Sequence, residues 1–218
     1  MIEGALRETH ERIAKAAKLA GRDPASIRLV AVSKTKPASA IREAYAAGQR
    51  DFGENYAQEL AEKAAELADL TELRWHFIGN LQSNKAKLVA PVAAMVQTVD
   101  SASLATALAR RLPDDGRTLD VLVEVNVGGE AQKHGVTPDD LPAVMAGIAA
   151  EPRLRLRGLM TVPPSDLGAA AAAFEELSGL RARHHLAELS MGMSADLELA
   201  IEAGATIVRV GSAIFGAR

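Results

Sequence analysis

Lys34 is the residue whose position most needs a chemical reason. It shares strand parity with Val30 and Val32, because side chains along a strand repeat every second residue. If the two valines point into a core, the lysine does so as well, one layer higher. An ammonium is strongly disfavoured there unless it is paired or used covalently. An amine in such a place has a lowered pKa, which makes it a nucleophile for an aldehyde. The plain alternative is a strand-end lysine that reaches out to solvent.

Two further groups complement that amine. Arg209 has the parity of Ile207 and Gly211, between Val208 and Val210. If those valines face outward, the guanidinium faces in and requires an acceptor. A pyridine nitrogen is one such acceptor, and an inward carboxylate such as Glu124 is another. Ser194 and the pair Gly211-Ser212 fall in the last two loops, each beside an expected helix start. Small residues there let backbone N–H groups approach an anion, which a helix N-terminus favours. Plain N-capping at Ser194 and a tight turn at Gly211 are the structural alternatives.

The elements that must position these groups alternate along the chain. Eight β-type runs are expected at Arg28–Lys34, Gln49–Asn55, Arg74–Asn80, Met95–Ser101, Leu119–Val127, Leu154–Val162, Glu188–Met193 and Ile207–Phe215. Helical patterns are expected at Ala38–Ala47, Asn55–Leu70, Ser101–Arg111, Pro138–Ala150, Ala169–His185 and Ser194–Ala203, with Glu3–Leu19 ahead of the first run. Ser101, Thr137 and Ser194 are the N-cap candidates. Strand–helix alternation implies parallel strands joined by crossovers. Eight units favour a closed α/β barrel of the TIM (β/α)8 type over an open sheet, as one domain spanning residues 1–218. Barrels gather function at the C-terminal ends of their strands, often with a phosphate site in the last two loops. Those ends carry Lys34, Gly53-Glu54-Asn55-Tyr56, His76-Phe77-Ile78-Gly79-Asn80, Glu124-Val125-Asn126, Ser190 to Ser194, and Arg209 to Ser212. The loop Gly128 to Gly135, with Lys133, is expected to be mobile above them; Lys133 is either a solvated loop lysine, the plainer reading, or a second amine that assists exchange of a bound ligand.

Composition narrows the classes. The formal net charge of −3 lacks the basic balance by which nucleic-acid binders neutralise phosphates. No cysteine is present, so disulfides, thiolate metal sites and cysteine nucleophiles are excluded. No apolar run approaches the ~20 residues that span a bilayer, and charges scattered through Met1–Ala20 do not suit a signal peptide. A cytoplasmic protein is the resulting expectation. With 48% hydrophobic residues and only 3% aromatic, the core must come from Ala, Val, Leu and Ile.

Longer segments carry a resemblance. They are Val30 to Pro37, Phe52 to Tyr56, Trp75 to Lys85, Leu156 to Met160, Ser190 to Asp196 and Val208 to Arg218. In these the chain resembles, nearly end to end, the YggS/PROSC family of pyridoxal phosphate homeostasis proteins. The resemblance implies a barrel like the N-terminal domain of alanine racemase, with pyridoxal 5'-phosphate (PLP) held as a Schiff base on Lys34 rather than Lys36. It implies that Ser194, Gly211 and Ser212 meet the phosphate and that Arg209 faces the pyridine nitrogen. Asn55 and His76 are further candidate cofactor contacts, although the mid-strand place of His76 suits a hydrogen-bonded structural residue better. Many relatives have Thr where this chain has Ser212, which keeps the hydroxyl.

The implied role is a PLP carrier in vitamin B6 homeostasis, without catalytic residues or metal. Its expected partners are PLP and PLP-dependent apoenzymes as recipients, and it is expected to be a monomer. Two other classes compete: an amino-acid racemase, and a phosphosugar-binding barrel. The chain ends directly after the eighth unit, so no second domain is expected to supply the opposite base that racemisation needs.

Overall fold

A computed structural model describes residues 1–130 and 133–216. Eight parallel strands close into one barrel in sequence order. They are β1 (Arg28–Val32), β2 (Asp51–Glu54), β3 (Arg74–Phe77), β4 (Ala93–Val99), β5 (Leu119–Glu124), β6 (Leu154–Met160), β7 (Glu188–Ser190) and β8 (Ile207–Val210). The expected barrel is therefore present. The helices are α1 (Ile2–Leu19), α2 (Ala38–Ala46), α3 (Ala57–Glu66), α4 (Ala86–Val89), α5 (Ala102–Ala109), α6 (Leu141–Ala149), α7 (Leu167–Arg183), α8 (Leu197–Glu202) and α9 (Ser212–Phe215).

Period two on each strand sorts the side chains into two cores. Val30, Met95, Leu122, Met160 and Ile207 form a small cluster inside the barrel. Their strand neighbours Leu29, Ala31, Val96, Val121, Leu159 and Val208 face the helices in the larger cluster. Helix α1 buries Leu6, Thr9, Ile13, Ala16 and Ala17, the spacing of one helical face. It packs against α2, α8 and α9. It thereby fills the place in the outer ring that the four-residue α9 is too short to cover.

Several boundaries differ from expectation. The first run stops at Val32, and Lys34 lies in the turn beyond it. The seventh stops at Ser190, because Gly192 turns with φ +93° and has Ala200 so close that any Cβ would collide with it. The eighth stops at Val210, and the chain turns into α9. Ser194 does not cap a helix. Helix α8 starts at Leu197 behind Asp196, whose carboxylate accepts from the Met193 N–H at 2.5 Å. Thr137 likewise bonds Asp140 ahead of α6 rather than capping it. Ser101 does cap, accepting from the Leu104 N–H at 3.3 Å. The third crossover, a 3-10 turn at Ser83–Lys85 followed by α4, is too short to show a helical period.

Candidate functional site

The C-terminal ends of β1, β2, β7 and β8 surround a cleft of about 460 Å³, within the range of small-molecule sites. Lys34, Asn55, Ser194, Arg209, Gly211 and Ser212 all line it. Ile78, Val162 and Met193 give it apolar walls. The parity argument therefore holds past the end of β1: Val30 is inside the barrel, and Val32 and Lys34 face the cleft above it.

His76 belongs elsewhere. It is buried within the barrel and does not line the cleft. Both ring nitrogens are engaged, Nε2 with Asp51 Oδ1 at 2.8 Å and Nδ1 with Gln97 Nε2 at 3.0 Å. The reason is depth. His76 pairs in register with Met95 of the cluster inside the barrel, and its ring reaches Asp51, the first residue of β2, at the end of that strand away from the cleft. Its assignment as a direct cofactor contact is corrected accordingly.

Arg209 points inward as its parity requires and is almost fully buried. Nη1 donates to Ser190 Oγ at 2.7 Å and Nη2 to the Thr161 carbonyl at 2.8 Å. It makes no ion pair with Glu124. Burial pushes the guanidinium down to about 10, while Glu124 and Asp196 pull it back up, so it stays charged at neutral pH. Glu124 is itself pushed up by burial, against the pull of Arg209 and His134.

The turn that carries Lys34 is clamped from below. Thr35 adopts φ +64°, an outlier for a β-branched residue that costs on the order of 1–3 kcal/mol. Its N–H donates to Glu59 Oε1 at 2.6 Å, and the Lys36 N–H donates to the Ser33 carbonyl at 3.0 Å. Buried Lys63, on α3, donates to Ser33 O, Glu54 Oε1 and Glu59 Oε1. Ser33 Oγ also donates to Glu54 Oε1, at 2.7 Å. Burial pushes the Glu54 carboxyl up, against Lys63 and Ser33. Sequence reasoning missed this cluster; its one local signal is the i,i+4 pair Glu59–Lys63.

Past the ends of β7 and β8, the latter paired with β1, the Ser194 and Ser212 hydroxyls converge to 3.5 Å. Arg12, from α1, holds the Ser194 carbonyl at 3.1 Å and pairs with Glu198 on α8. Gly211 passes so close to β1 that a Cβ would stand 3.2 Å from the Val32 carbonyl oxygen. On the other side of β1, at the end of β2, Asn55 Oδ1 is buried and has no protein partner. Gly79 has the Asn55 backbone where a Cβ would be, which fixes how that residue is presented. Of the loop Gly128 to Gly135, Ala131 and Gln132 lie outside the described residues. Lys133 pairs with Glu130 and reaches the carbonyl of Val162, a cleft residue, at 3.4 Å.

Among the described residues no His, Asp and Glu side chains group so as to hold a metal ion. No described helix is long and apolar enough to cross a membrane.

Comparison with known proteins gives the following matches. The family described as alanine racemase, N-terminal domain, matches residues 5–218. The pyridoxal phosphate homeostasis protein of Pseudomonas aeruginosa is 54% identical over 95% of this chain and 91% of its own length. That of Escherichia coli K12 is 46% identical over 98% of this chain and 95% of its own. The structure of PipY from Synechococcus elongatus PCC7942 with PLP bound is 42% identical. It superposes with a TM-score of 0.80 over 94% of this chain and 100% of that one.

Proposed function

We propose, for a chain that belongs to the alanine racemase N-terminal domain family and within it to the pyridoxal phosphate homeostasis proteins, that this cleft binds PLP and holds it for exchange. One observation carries the reading. An amine, a pair of hydroxyls and a buried guanidinium converge on one cleft, as Lys34, Ser194 with Ser212, and Arg209. These match in kind the aldehyde, phosphate and ring nitrogen of the cofactor. The fit extends to Asn55, whose Oδ1 is a buried acceptor with no protein partner.

Bound PLP supplies an aldehyde that condenses with amines and a ring that withdraws electrons. The chain's own residues do the rest. Lys34 offers the amine, from a turn whose left-handed Thr35 is pinned by Glu59. Ser194 and Ser212 offer hydroxyls to the phosphate. Arg209 would hold the ring nitrogen by an N–H, which would leave that nitrogen unprotonated and the ring a weaker electron sink. Such a site favours holding and releasing PLP over α-proton chemistry. The protein acts as a cytoplasmic monomer and hands PLP to dependent apoenzymes.

The deciding test is the absorption spectrum of the purified protein after PLP is added and excess is removed. A band in the visible or near-ultraviolet that responds to an added amino acid supports the reading. A colourless protein that instead takes up a sugar phosphate would return it to the phosphosugar class.

A further inference from the structure

The barrel interior contains a hydrogen-bonded chain that leads from the cleft to the opposite face. Arg209 Nη1 donates to Ser190 Oγ at 2.7 Å, and Ser190 Oγ donates to Gln97 Oε1 at 2.5 Å. Gln97 Nε2 stands 3.0 Å from His76 Nδ1, and His76 Nε2 stands 2.8 Å from Asp51 Oδ1. Arg74 closes the far end, gripping both oxygens of Asp51 at 2.9 and 2.6 Å. Ser190, Gln97 and His76 are buried. The residues come from β8, β7, β4, β3 and β2. Since β4 and β7 are not neighbours in the closed sheet, the chain crosses the barrel instead of following its wall.

Donor and acceptor rules give this chain one direction. A guanidinium only donates, so Ser190 Oγ accepts from Arg209 and directs its own proton to Gln97 Oε1. That fixes the amide, with Nε2 turned to His76. An amide nitrogen only donates, so His76 Nδ1 must be the bare acceptor. The ring proton is then on Nε2 and goes to Asp51. Moving the ring proton to Nδ1, or adding a second one there, would force Gln97 to turn over. Ser190 would then face a second donor and lose the acceptor for its own proton. A buried network tolerates no such half-satisfied member cheaply.

We propose that His76, fixed as its neutral Nε2–H tautomer, is a positioning residue for Arg209, acting through Gln97 and Ser190. The network sets the angle at which the guanidinium presents its remaining N–H groups to the cleft. The proposal rests on the reading of the cleft as a PLP site with Arg209 at the ring nitrogen. It adds residues that touch neither the cleft nor the cofactor.

The test compares Ser190→Ala, Ser190→Thr and the near-isosteric Gln97→Met with the wild type. Each is examined for PLP affinity, for the absorption band of bound PLP, and for borohydride labelling of Lys34. Nitrogen NMR of the histidine rings reports the His76 tautomer in protein without added PLP. The expected result is an Nε2–H tautomer in the wild type. Ser190→Ala and Gln97→Met should each show a displaced band and about tenfold weaker PLP binding, with Lys34 still labelled. Ser190→Thr, which keeps the hydroxyl, should restore band and affinity. An Nδ1–H tautomer in the wild type overturns the proposal. So do wild-type band and affinity in both Ser190→Ala and Gln97→Met. A wild-type protein that takes up no PLP at all instead overturns the cofactor reading, and with it the role given to Arg209.

Discussion

Lys63 Nζ donates to the carbonyl oxygen of Ser33, the residue directly before Lys34, at 2.8 Å. The same ammonium bonds Glu54 and Glu59, so one buried cation ties the end of β1 to β2 and α3. Removing it takes the counter-cation from the buried Glu54 carboxylate, which keeps the Ser33 hydroxyl as a donor, and leaves the Ser33 carbonyl with the Lys36 N–H. Lys63→Met should therefore cost about 3 kcal/mol of stability in urea unfolding and slow the reaction of Lys34 with PLP. The double variant Glu54→Gln, Lys63→Met should recover part of the stability, because the stranded charge is gone. A single variant as stable as wild type would show that the cluster does not hold the turn.

Covalent attachment is expected at Lys34. Borohydride reduction of the PLP-loaded protein, followed by peptide mass analysis, should place the pyridoxyl mass on that residue. Lys36 also lines the cleft, so it is the informative control. Label on Lys36 with none on Lys34 would reverse the assignment.

The Ser194 and Ser212 hydroxyls are close enough to share one anion. Ser194→Ala with Ser212→Ala should weaken PLP binding about tenfold or more, as expected for losing two hydrogen bonds to a charged group. Binding of pyridoxal, which lacks the phosphate, should change little. Equal losses for both ligands would mean that the hydroxyls shape the cleft without meeting the phosphate.

Acid stability should depend on Asp51. Burial alone would raise its carboxyl, but hydrogen bonds from His76 and Arg74 outweigh it and hold the group below its ordinary 3.8. A depressed carboxylate stabilises the fold fully above the unfolded-state value, and the contribution is lost as pH falls through the lower folded-state value. The melting temperature should thus decline below roughly pH 4. Asp51→Asn should cost about 1–3 kcal/mol at pH 7 and flatten that decline. An unchanged acid limb in the variant would place the acid sensitivity in other groups.

How much of this was legible follows from the periods involved. Lys34 and Arg209 were readable because a two-residue period extends from the valines beside them into the cleft. Ser194 and Ser212 were readable because the last two barrel loops have a known role. His76 was readable in part: its mid-strand place suits the hydrogen-bonded structural residue that it is, but the strand-end pattern also left it among the candidate cofactor contacts. Gln97 and Ser190 carry no local signal: each is a polar residue on a strand whose partner comes from across the barrel. Asp196 displaced Ser194 as the turn residue before α8 because β7 is shorter than its apolar run, and both residue types can cap.

Efficient racemisation is not expected. It removes a proton from one face of the substrate α-carbon and returns it to the other, so it needs positioned groups on both sides. The chain has two tyrosines, and neither lines the cleft. Tyr45 lies under the Arg50 guanidinium at 4.0 Å, with its hydroxyl 3.5 Å from Glu72. Tyr56 is exposed at the start of α3. Among the described residues, the ionisable side chains that line the cleft are Lys34, Lys36 and Arg209. The two amines come from one short turn, and a guanidinium that stays charged is a poor base. Arg209, in the place proposed for it at the ring nitrogen, would also withhold the proton that strengthens the electron sink. Amino acids should accordingly exchange slowly with the lysine at the aldehyde while keeping their α-protons. Deuterium wash-in at the α-carbon, followed by chiral analysis over a panel of amino acids, measures this directly. Rapid wash-in with inversion, abolished in Lys34→Ala and again in Tyr56→Phe or Lys36→Met, would make the protein a racemase and identify its second base.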